Sequence, residues 1–191
     1  MKNILLIIAL LTASMTVFGQ DFAKIDKSFM DAAFYPEGAA KRTFAKSDEK
    51  KKALVPKIRI LYSRPMKKGR VIFGELLKFD EAWRIGANES TEILFMTDVK
   101  FGDTDVKAGR YSLIIIPTAK TWTLKLNTEN DGWGNYSYDA SKDIASITVP
   151  TQSSSKEIEA LSIALYEKSP SLIHLKIGWD TTIAEFPITL K

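Results

Sequence analysis

A strict alternation of apolar and polar side chains is the feature that most constrains the fold of this chain. In the segment Trp122–Asn127 every second residue is large and apolar, and the residues between them are polar. Successive side chains of an extended strand point to opposite faces, so the pattern predicts a strand with one buried face. The pattern recurs at Ile58–Tyr62, Ala145–Val149 and Ile173–Trp179.

Turn residues separate these segments at short intervals, and about nine strands fit between residues 58 and 188. A chain of 191 residues is within the usual size of one domain with a sizeable core. We therefore expect an all-β, mostly antiparallel domain over residues 58–191, built as a single β-sandwich or jelly-roll-like fold.

One segment supports two interpretations. Ser154 and Glu157 form a capping-box pattern, and the apolar residues that follow include helical spacings. The same segment also places Leu161, Ile163 and Leu165 on one face of a strand. We favour the strand, because the Ser169–Ser171 turn would then join it to Ile173–Trp179 as a hairpin.

The N-terminus is typical of an exported protein. Lys2 precedes the apolar run Ile4–Leu11, and small residues follow before the polar residue Gln20. This predicts a signal peptide over residues 1–19, cleaved after Gly19, and a periplasmic or secreted protein. The chain has no cysteine, so we expect neither a lipoprotein anchor nor a disulfide. Residues 20–57 then form an irregular N-terminal arm with a charged loop, docked on the β domain.

Charge and hydropathy limit the partners. The formal net charge of +4 is small for 191 residues, which makes nucleic acid an unexpected partner. No segment after the signal peptide is apolar for long enough to span a membrane. The lysines between Lys41 and Lys52 suit a solvated face, with contact to a polyanion as the alternative. The sequence leaves the oligomeric state open.

Motifs that identify a reaction are missing, so we predict no catalytic residue, no cofactor and no metal. The single histidine, His174, is on the polar side of its strand, which favours a plain surface position. The loop Asn127–Gly132 carries oxygen side chains at alternate positions, as a calcium loop does. Tyr138 stands where such a loop needs glutamate, so an ordinary turn is the better interpretation.

A group of cationic, aromatic and amide side chains is the best candidate for a ligand site. Fixed guanidinium groups bind anions, amides bind hydroxyls, and a tryptophan ring can stack on a sugar. The candidate residues are Arg64, Arg70, Trp83, Arg84, Asn88, Glu89 and Trp133.

A structural interpretation of the same residues stays open. Arg84 could hold Glu89 or Glu92 in a buried ion pair, Asn88 could set a turn, and Trp133 could anchor its loop. The basic hairpin around Lys67 could protect an edge strand from pairing with other chains.

Several motifs of the chain resemble a known family. They are Tyr62-Ser63-Arg64-Pro65, Lys68-Gly69-Arg70, Ile72-Phe73-Gly74, Trp83–Ile93, Ala108–Leu113, Ile116-Pro117, Trp133-Gly134 and Trp179–Thr182. Together they resemble domain-of-unknown-function family 2911, a group of exported bacterial proteins, from about Asp26 to Ile188. The resemblance implies a single domain, and it assigns no activity to any residue.

Three functions are compatible with these observations. The first is a non-enzymatic binding domain for an anionic glycan or another envelope component, held by the candidate residues. The second is a hydrolase or lyase of envelope polymers, with Glu89 and Glu92 or Asp80 as paired carboxylates. The third is a structural or protein-interaction module that uses edge strands or the N-terminal arm.

Overall fold

The computed structural model describes residues 21–191, which form ten strands, one short α-helix and two 3-10 turns. The strands are β1 (Met30–Tyr35), β2 (Ile58–Ser63), β3 (Glu92–Phe95), β4 (Val99–Phe101), β5 (Thr104–Val106), β6 (Gly109–Pro117), β7 (Thr121–Asn127), β8 (Asp143–Pro150), β9 (Gln152–Ser169) and β10 (Leu172–Leu190). Helix α1 is Asp48–Ala53, and the 3-10 turns are Ala39–Phe44 and Ala140–Lys142. The predicted signal peptide lies outside the described residues.

The strands form two antiparallel sheets. One sheet has six strands in the order β1-β2-β3-β6-β7-β8, and the other has the order β5-β4-β10-β9. Neither sheet closes into a barrel. The predicted fold class, a mostly antiparallel all-β sandwich, is therefore confirmed. The strand interpretation of the ambiguous segment is also confirmed, because β9 pairs with β10 with Leu165 opposite Leu175.

Strand β10 reverses direction within its length. The Nδ1 atom of His174 lies 3.1 Å from Oε2 of Glu185, and the backbone N–H of Leu190 donates to the carbonyl of Ser171 at 2.8 Å. An extended strand of that length would separate His174 from Glu185 by about 36 Å. The reversal is at Asp180, whose φ of 56° is in the left-handed region. The two halves of β10 thus lie side by side in the second sheet.

The core lies between the two sheets and is built by the predicted alternation. Leu124 and Leu126 of β7 and Leu175 and Ile177 of β10 are completely buried in one hydrophobic cluster. The residues between them, Lys125 and Lys176, are partly exposed. Burial of one face of each sheet therefore supplies the main driving force for folding.

The N-terminal arm contains one strand, followed by a 3-10 turn and helix α1. Residues 21–29 have no regular structure, and Met30–Tyr35 forms edge strand β1, in which Ala33 lies opposite Ile60 of β2. Only Ala33 of this strand is buried, so the hydrophobic pattern did not distinguish β1 from the irregular arm. No helix within residues 21–191 is long and apolar enough to cross a membrane.

Candidate functional site

Arg64 joins the two sheets instead of facing a ligand site. Its Nε donates to the carbonyl of Leu161, Nη1 to Asp31 and Nη2 to Oγ of Ser162, each at 3.0 Å. These partners belong to β1 and β9, the edge strands of opposite sheets. Since all three nitrogens of the guanidinium group already donate, Arg64 is a structural clamp.

Arg70 stabilises its own turn. Its Nε donates to the carbonyl of Lys67 at 2.8 Å, and Nη2 donates to the carbonyl of Met66 at 2.6 Å. Lys67 in turn pairs with Glu157 at 2.6 Å and Asp180 at 2.9 Å. The basic hairpin is thus joined to β9 and β10 through Lys67, and the guanidinium group of Arg70 is held by its own turn.

Trp83 belongs to the core. It is only 4% exposed and exchanges backbone hydrogen bonds with Ile115 of β6, at 2.8 and 2.9 Å. Its indole stacks on that of Trp179, with centroids 5.9 Å apart, and meets Trp122 edge to face at 6.4 Å. The indole of Trp83 is therefore not available to a ligand at the surface.

After Trp83 the chain forms loop A, which we define as residues 84–90. Thr91 closes the base of the loop, because its N–H donates to the carbonyl of Arg84 and its Oγ1 to that of Ile85. Gly86 lies so close to β2 that a Cβ atom there would be 3.2 Å from the carbonyl oxygen of Ser63. Asn88 has a φ of 61°, as the turn interpretation requires. The base of loop A is therefore fixed.

Loop B, defined as residues 128–138, packs against loop A. The N–H of Gly134 donates to the carbonyl of Asn88 at 2.7 Å, and the N–H of Ser90 donates to the carbonyl of Gly132 at 2.9 Å. The hydroxyl of Ser90 also donates to the carbonyl of Gly134 at 2.6 Å. The two loops thus form a short ladder, in which Glu89 and Trp133 lie opposite each other.

Arg84 has an unusual environment within this ladder. Its side chain is half-buried, and no carboxylate of residues 21–191 lies within ion-pairing distance of it. Its Nε is buried and has no hydrogen-bond partner among these residues. Burial lowers the pKa of the guanidinium group, although nearby Tyr136 opposes this effect. The proposed ion pair of Arg84 with Glu89 or Glu92 is therefore wrong.

Two exposed aromatic rings lie on loop B, and one of them, Tyr136, is close to Arg84. Trp133 is 60% exposed and Tyr136 is 88% exposed. Gly134 lies between Tyr136 and Arg84, since a Cβ atom there would be 3.0 Å from the Tyr136 ring and 3.9 Å from Cδ of Arg84. We name the surface formed by Arg84, Trp133 and Tyr136 the cation–aromatic platform.

A cleft of about 250 Å³ lies on another side of the same ladder. It is lined by Met30, Leu61, Glu89, Ser90, Glu92, Asp131 and Gly132. Arg110 donates to both oxygens of Asp131 at 2.7 Å and to Glu92 at 3.3 Å. Glu92 also accepts from the N–H of Asp131 at 3.0 Å. Asp80 is exposed and does not line the cleft.

Three oxygen side chains of the loop considered for calcium are engaged with the protein, whereas Oδ1 of Asn130 is buried without a hydrogen-bond partner among residues 21–191. The Oδ1 of Asn127 accepts from the N–H of Glu129 at 2.9 Å, Glu129 pairs with Lys142, and Asp131 pairs with Arg110. Asn127 is 1% exposed and also donates to the carbonyl of Asp139. These contacts fix loop B on the outer face of β6 and β7.

His174 lies in a polar cluster on β9 and β10. Its ring nitrogen is 3.1 Å from Glu185, which also accepts hydrogen bonds from Tyr166 and from Lys176 at 3.4 Å. The hydrogen bond to Glu185 and burial raise the pKa of Tyr166 to about 12. Burial opposes ionisation of Glu185, but its three hydrogen-bond donors together lower the pKa of that carboxyl group.

Sequence reasoning missed three participants in these sites. Tyr136 carries no signal beyond its place in a Gly- and Asn-containing loop after Trp133. The pairing of Arg110 with Asp131 depends on strand register, which the alternation does not specify. Glu185 meets His174 only because β10 reverses direction.

Comparison with known proteins adds the family and no activity. The family model with the description "Protein of unknown function (DUF2911)" matches residues 45–188, which is most of the chain. No curated protein and no solved structure matches the chain. The match includes loops A and B and all strands from β2 to β9. The chain therefore belongs to the DUF2911 family of proteins of unknown function.

Proposed function

We propose that this protein is an exported, non-enzymatic binding domain whose cation–aromatic platform holds an anionic ring-containing ligand, such as an acidic sugar of an envelope glycan. One observation carries the proposal. Arg84 is a half-buried cation without an anionic partner among residues 21–191, and it lies close to Tyr136, one of the two exposed aromatic rings of loop B.

The chemistry of the platform favours an anion joined to a ring. A guanidinium group binds a carboxylate or sulfate through two parallel hydrogen bonds, and the buried Nε of Arg84 gains most from such a partner. An exposed indole or phenol ring offers an apolar face on which a sugar ring can pack. Asn88 and Glu89 border the platform and supply polar groups for hydroxyls.

The proposal uses fewer residues than the sequence hypothesis. Arg64, Arg70 and Trp83 have structural contacts that account for them, whereas Arg84, Asn88, Glu89 and Trp133 belong to the paired loops A and B. The hydrolase alternative has less support. Glu92 already accepts hydrogen bonds from Arg110 and Asp131, so it is poorly placed to exchange a proton with a substrate.

Calorimetry with matched oligosaccharides tests the proposal. The chain from Gln20 is titrated with neutral and uronate-containing oligosaccharides of equal length. We expect binding to the charged set, and about a tenfold or greater loss of affinity in Arg84→Met, because a charge-assisted hydrogen bond contributes about 1.5–3 kcal/mol. Lys168→Met, which removes an exposed cation on β9, is the matched control and should bind normally.

Trp133→Ala keeps the test decisive if Arg84→Met unfolds. Because Trp133 is 60% exposed, its removal should weaken binding without lowering the thermal unfolding midpoint. Equal affinity of both variants and the parent chain for the charged oligosaccharides would disprove the platform as the site.

A further inference from the structure

The net positive charge of the chain is concentrated in one short segment. Residues 41–52 contain six cationic residues and two carboxylates, which leaves a charge of +4, equal to the formal net charge of the whole chain. The rest of the sequence is balanced overall. We name this segment, together with the following Val55, the basic knob.

The cations of the basic knob are exposed and almost unpaired. Among residues 21–191 the only ion pair that involves them joins Lys51 to Asp48 at 3.4 Å, with both side chains at least half exposed. Such a pair contributes little in water. The 3-10 turn Ala39–Phe44 and helix α1 meet around a surface cleft of about 460 Å³, lined by Arg42, Thr43, Lys51, Lys52 and Val55.

Large apolar side chains are exposed among these cations. Phe44 is 84% exposed and Val55 is 44% exposed, although the core of this molecule buries other residues of these types completely. Phe44 ends the 3-10 turn that also carries Lys41 and Arg42. The knob therefore combines unneutralised cations with an aromatic side chain in water.

We propose that the basic knob docks on the surface of an anionic phospholipid bilayer. Anionic headgroups would neutralise the lysines and Arg42, while Phe44 and Val55 would enter the boundary between headgroups and acyl chains. A soluble polyanion would compensate the cations but would leave Phe44 exposed, so the apolar residues favour the membrane. The knob is separate from loops A and B, and the two proposals stand independently.

The energetics fit reversible docking. A basic residue at an anionic surface contributes about 1 kcal/mol, and this attraction falls off within the Debye length. The cations of the knob can therefore supply measurable binding at low salt, and Phe44 adds an apolar contribution that salt does not screen.

Vesicle sedimentation tests the proposal with the chain from Gln20. We expect binding to vesicles of phosphatidylcholine with about 30% phosphatidylglycerol, whose surface potential is negative, and no binding to pure phosphatidylcholine. The variant Arg42→Gln/Lys52→Gln should bind about 25-fold more weakly, because each lost cation costs about fivefold. Lys156→Gln/Lys168→Gln removes two exposed cations from β9 and should bind like the parent chain.

Phe44→Ala separates a membrane from a soluble polyanion. We expect about a tenfold loss of vesicle binding, with no change in thermal stability because Phe44 is 84% exposed. Three results would overturn the proposal: equal binding to neutral and anionic vesicles, unchanged binding of the Arg42/Lys52 variant, or unchanged binding of Phe44→Ala. Arg84→Met should bind vesicles normally, so failure of the sugar site leaves this result intact.

Discussion

Arg64 and Arg84 show how the surroundings of one residue type decide its role. Both are half-buried, and both were candidates for anion binding. Arg64 donates to three groups on two edge strands, so a further anion would have to displace existing contacts. Arg84 has no anionic partner among residues 21–191, so an incoming anion would gain a new contact. The number of satisfied donors separates a clamp from a candidate binding residue.

The Glu185 cluster predicts an acid-dependent contribution to stability. Its three hydrogen-bond donors lower the pKa of Glu185 in the folded state, so the unfolded chain binds more protons near that pKa. The contribution is therefore complete above the unfolded pKa, about 4.3, and is lost as pH falls through the folded pKa. We expect Glu185→Gln to reduce the free energy of unfolding at pH 7 and to differ little from the parent chain near pH 3.

Chemical denaturation at a series of pH values provides the measurement. Tyr166→Phe serves as a second probe, because the pKa of Tyr166 is raised to about 12. The raised pKa stabilises the folded chain below pH 10, and this contribution is lost as pH rises from 10 towards 12. Tyr166→Phe should therefore not show this loss of unfolding free energy between pH 10 and pH 12. A constant difference between Glu185→Gln and the parent chain from pH 3 to pH 7 would contradict the assignment.

Sequence could identify candidate residues but could not rank them. The sequence does not distinguish the roles of Trp83 and Trp133. Trp83 is in the core because it pairs with Ile115 of β6. The contacts that decide the roles of Arg64 and Arg110 cross between segments distant in the chain. Such contacts follow from strand order and register, which periodicity does not determine.

At the scale of elements, two tight turns make different demands on glycine. Gly69 and Gly102 both have left-handed backbones, with φ of 70° and 60°. A Cβ atom at Gly69 would meet nothing within 4 Å, whereas one at Gly102 would lie 3.0 Å from the carbonyl oxygen of Ser146 and 3.1 Å from Ile147. Gly102 thus lets the β4–β5 turn approach β8 of the other sheet.

These turns predict a difference between two alanine variants. Gly69→Ala should lose about 1 kcal/mol of unfolding free energy, since only the left-handed backbone is strained. Gly102→Ala should lose roughly 1–3 kcal/mol more, because the added methyl group pushes β8 away. Urea denaturation measures both values. Equal losses would show that the contact with Ser146 relaxes freely.

Element prediction succeeded where one face of a strand is buried. The alternation in β7 and β8 and in the hairpin of β9 with β10 matches the burial of Leu124, Ile147 and Leu165. It failed to separate β1, because that edge strand buries only Ala33 and is held by backbone pairing with β2. Backbone hydrogen bonds form with almost any side chain, so a hydrophobicity pattern cannot reveal a strand that depends on them.

At the scale of the whole molecule, the four tryptophans divide into two environments. Trp83, Trp122 and Trp179 are at most 4% exposed and contact one another through the core, whereas Trp133 is 60% exposed on loop B. This division follows from the closure of the two sheets over one hydrophobic cluster. It gives the folded molecule one accessible indole.

Fluorescence quenching tests this division. In the native parent chain acrylamide should quench one fraction of the emission efficiently, and Trp133→Phe should remove that fraction while the thermal unfolding midpoint stays unchanged. After unfolding, all tryptophans should be quenched alike in both proteins. Efficient residual quenching in native Trp133→Phe would mean that the indoles between the sheets are accessible.

The global architecture was predictable and the site was less so. Periodicity and turn spacing predicted a sandwich because they record which face of each strand is buried. The ladder between loops A and B arises from bonds such as that between Gly134 and Asn88, which join residues with no local pattern in common. Sequence analysis identified Arg84 and Trp133 as candidates, but only the fold shows that their loops pair with each other.

The stacked pair of Trp83 and Trp179 has a spectroscopic consequence. Trp179 lies on β10, and Trp83 pairs with β6, so the 5.9 Å stack joins the two sheets. Neighbouring indoles couple their electronic transitions and produce a pair of circular dichroism bands of opposite sign. Because the contribution of this pair needs both sheets in contact, it would vanish in a state that keeps its strands but separates its layers, whereas coupling between Trp83 and Trp122 of the first sheet would remain. The circular dichroism of the Trp83–Trp179 pair would therefore report whether the two sheets are packed together.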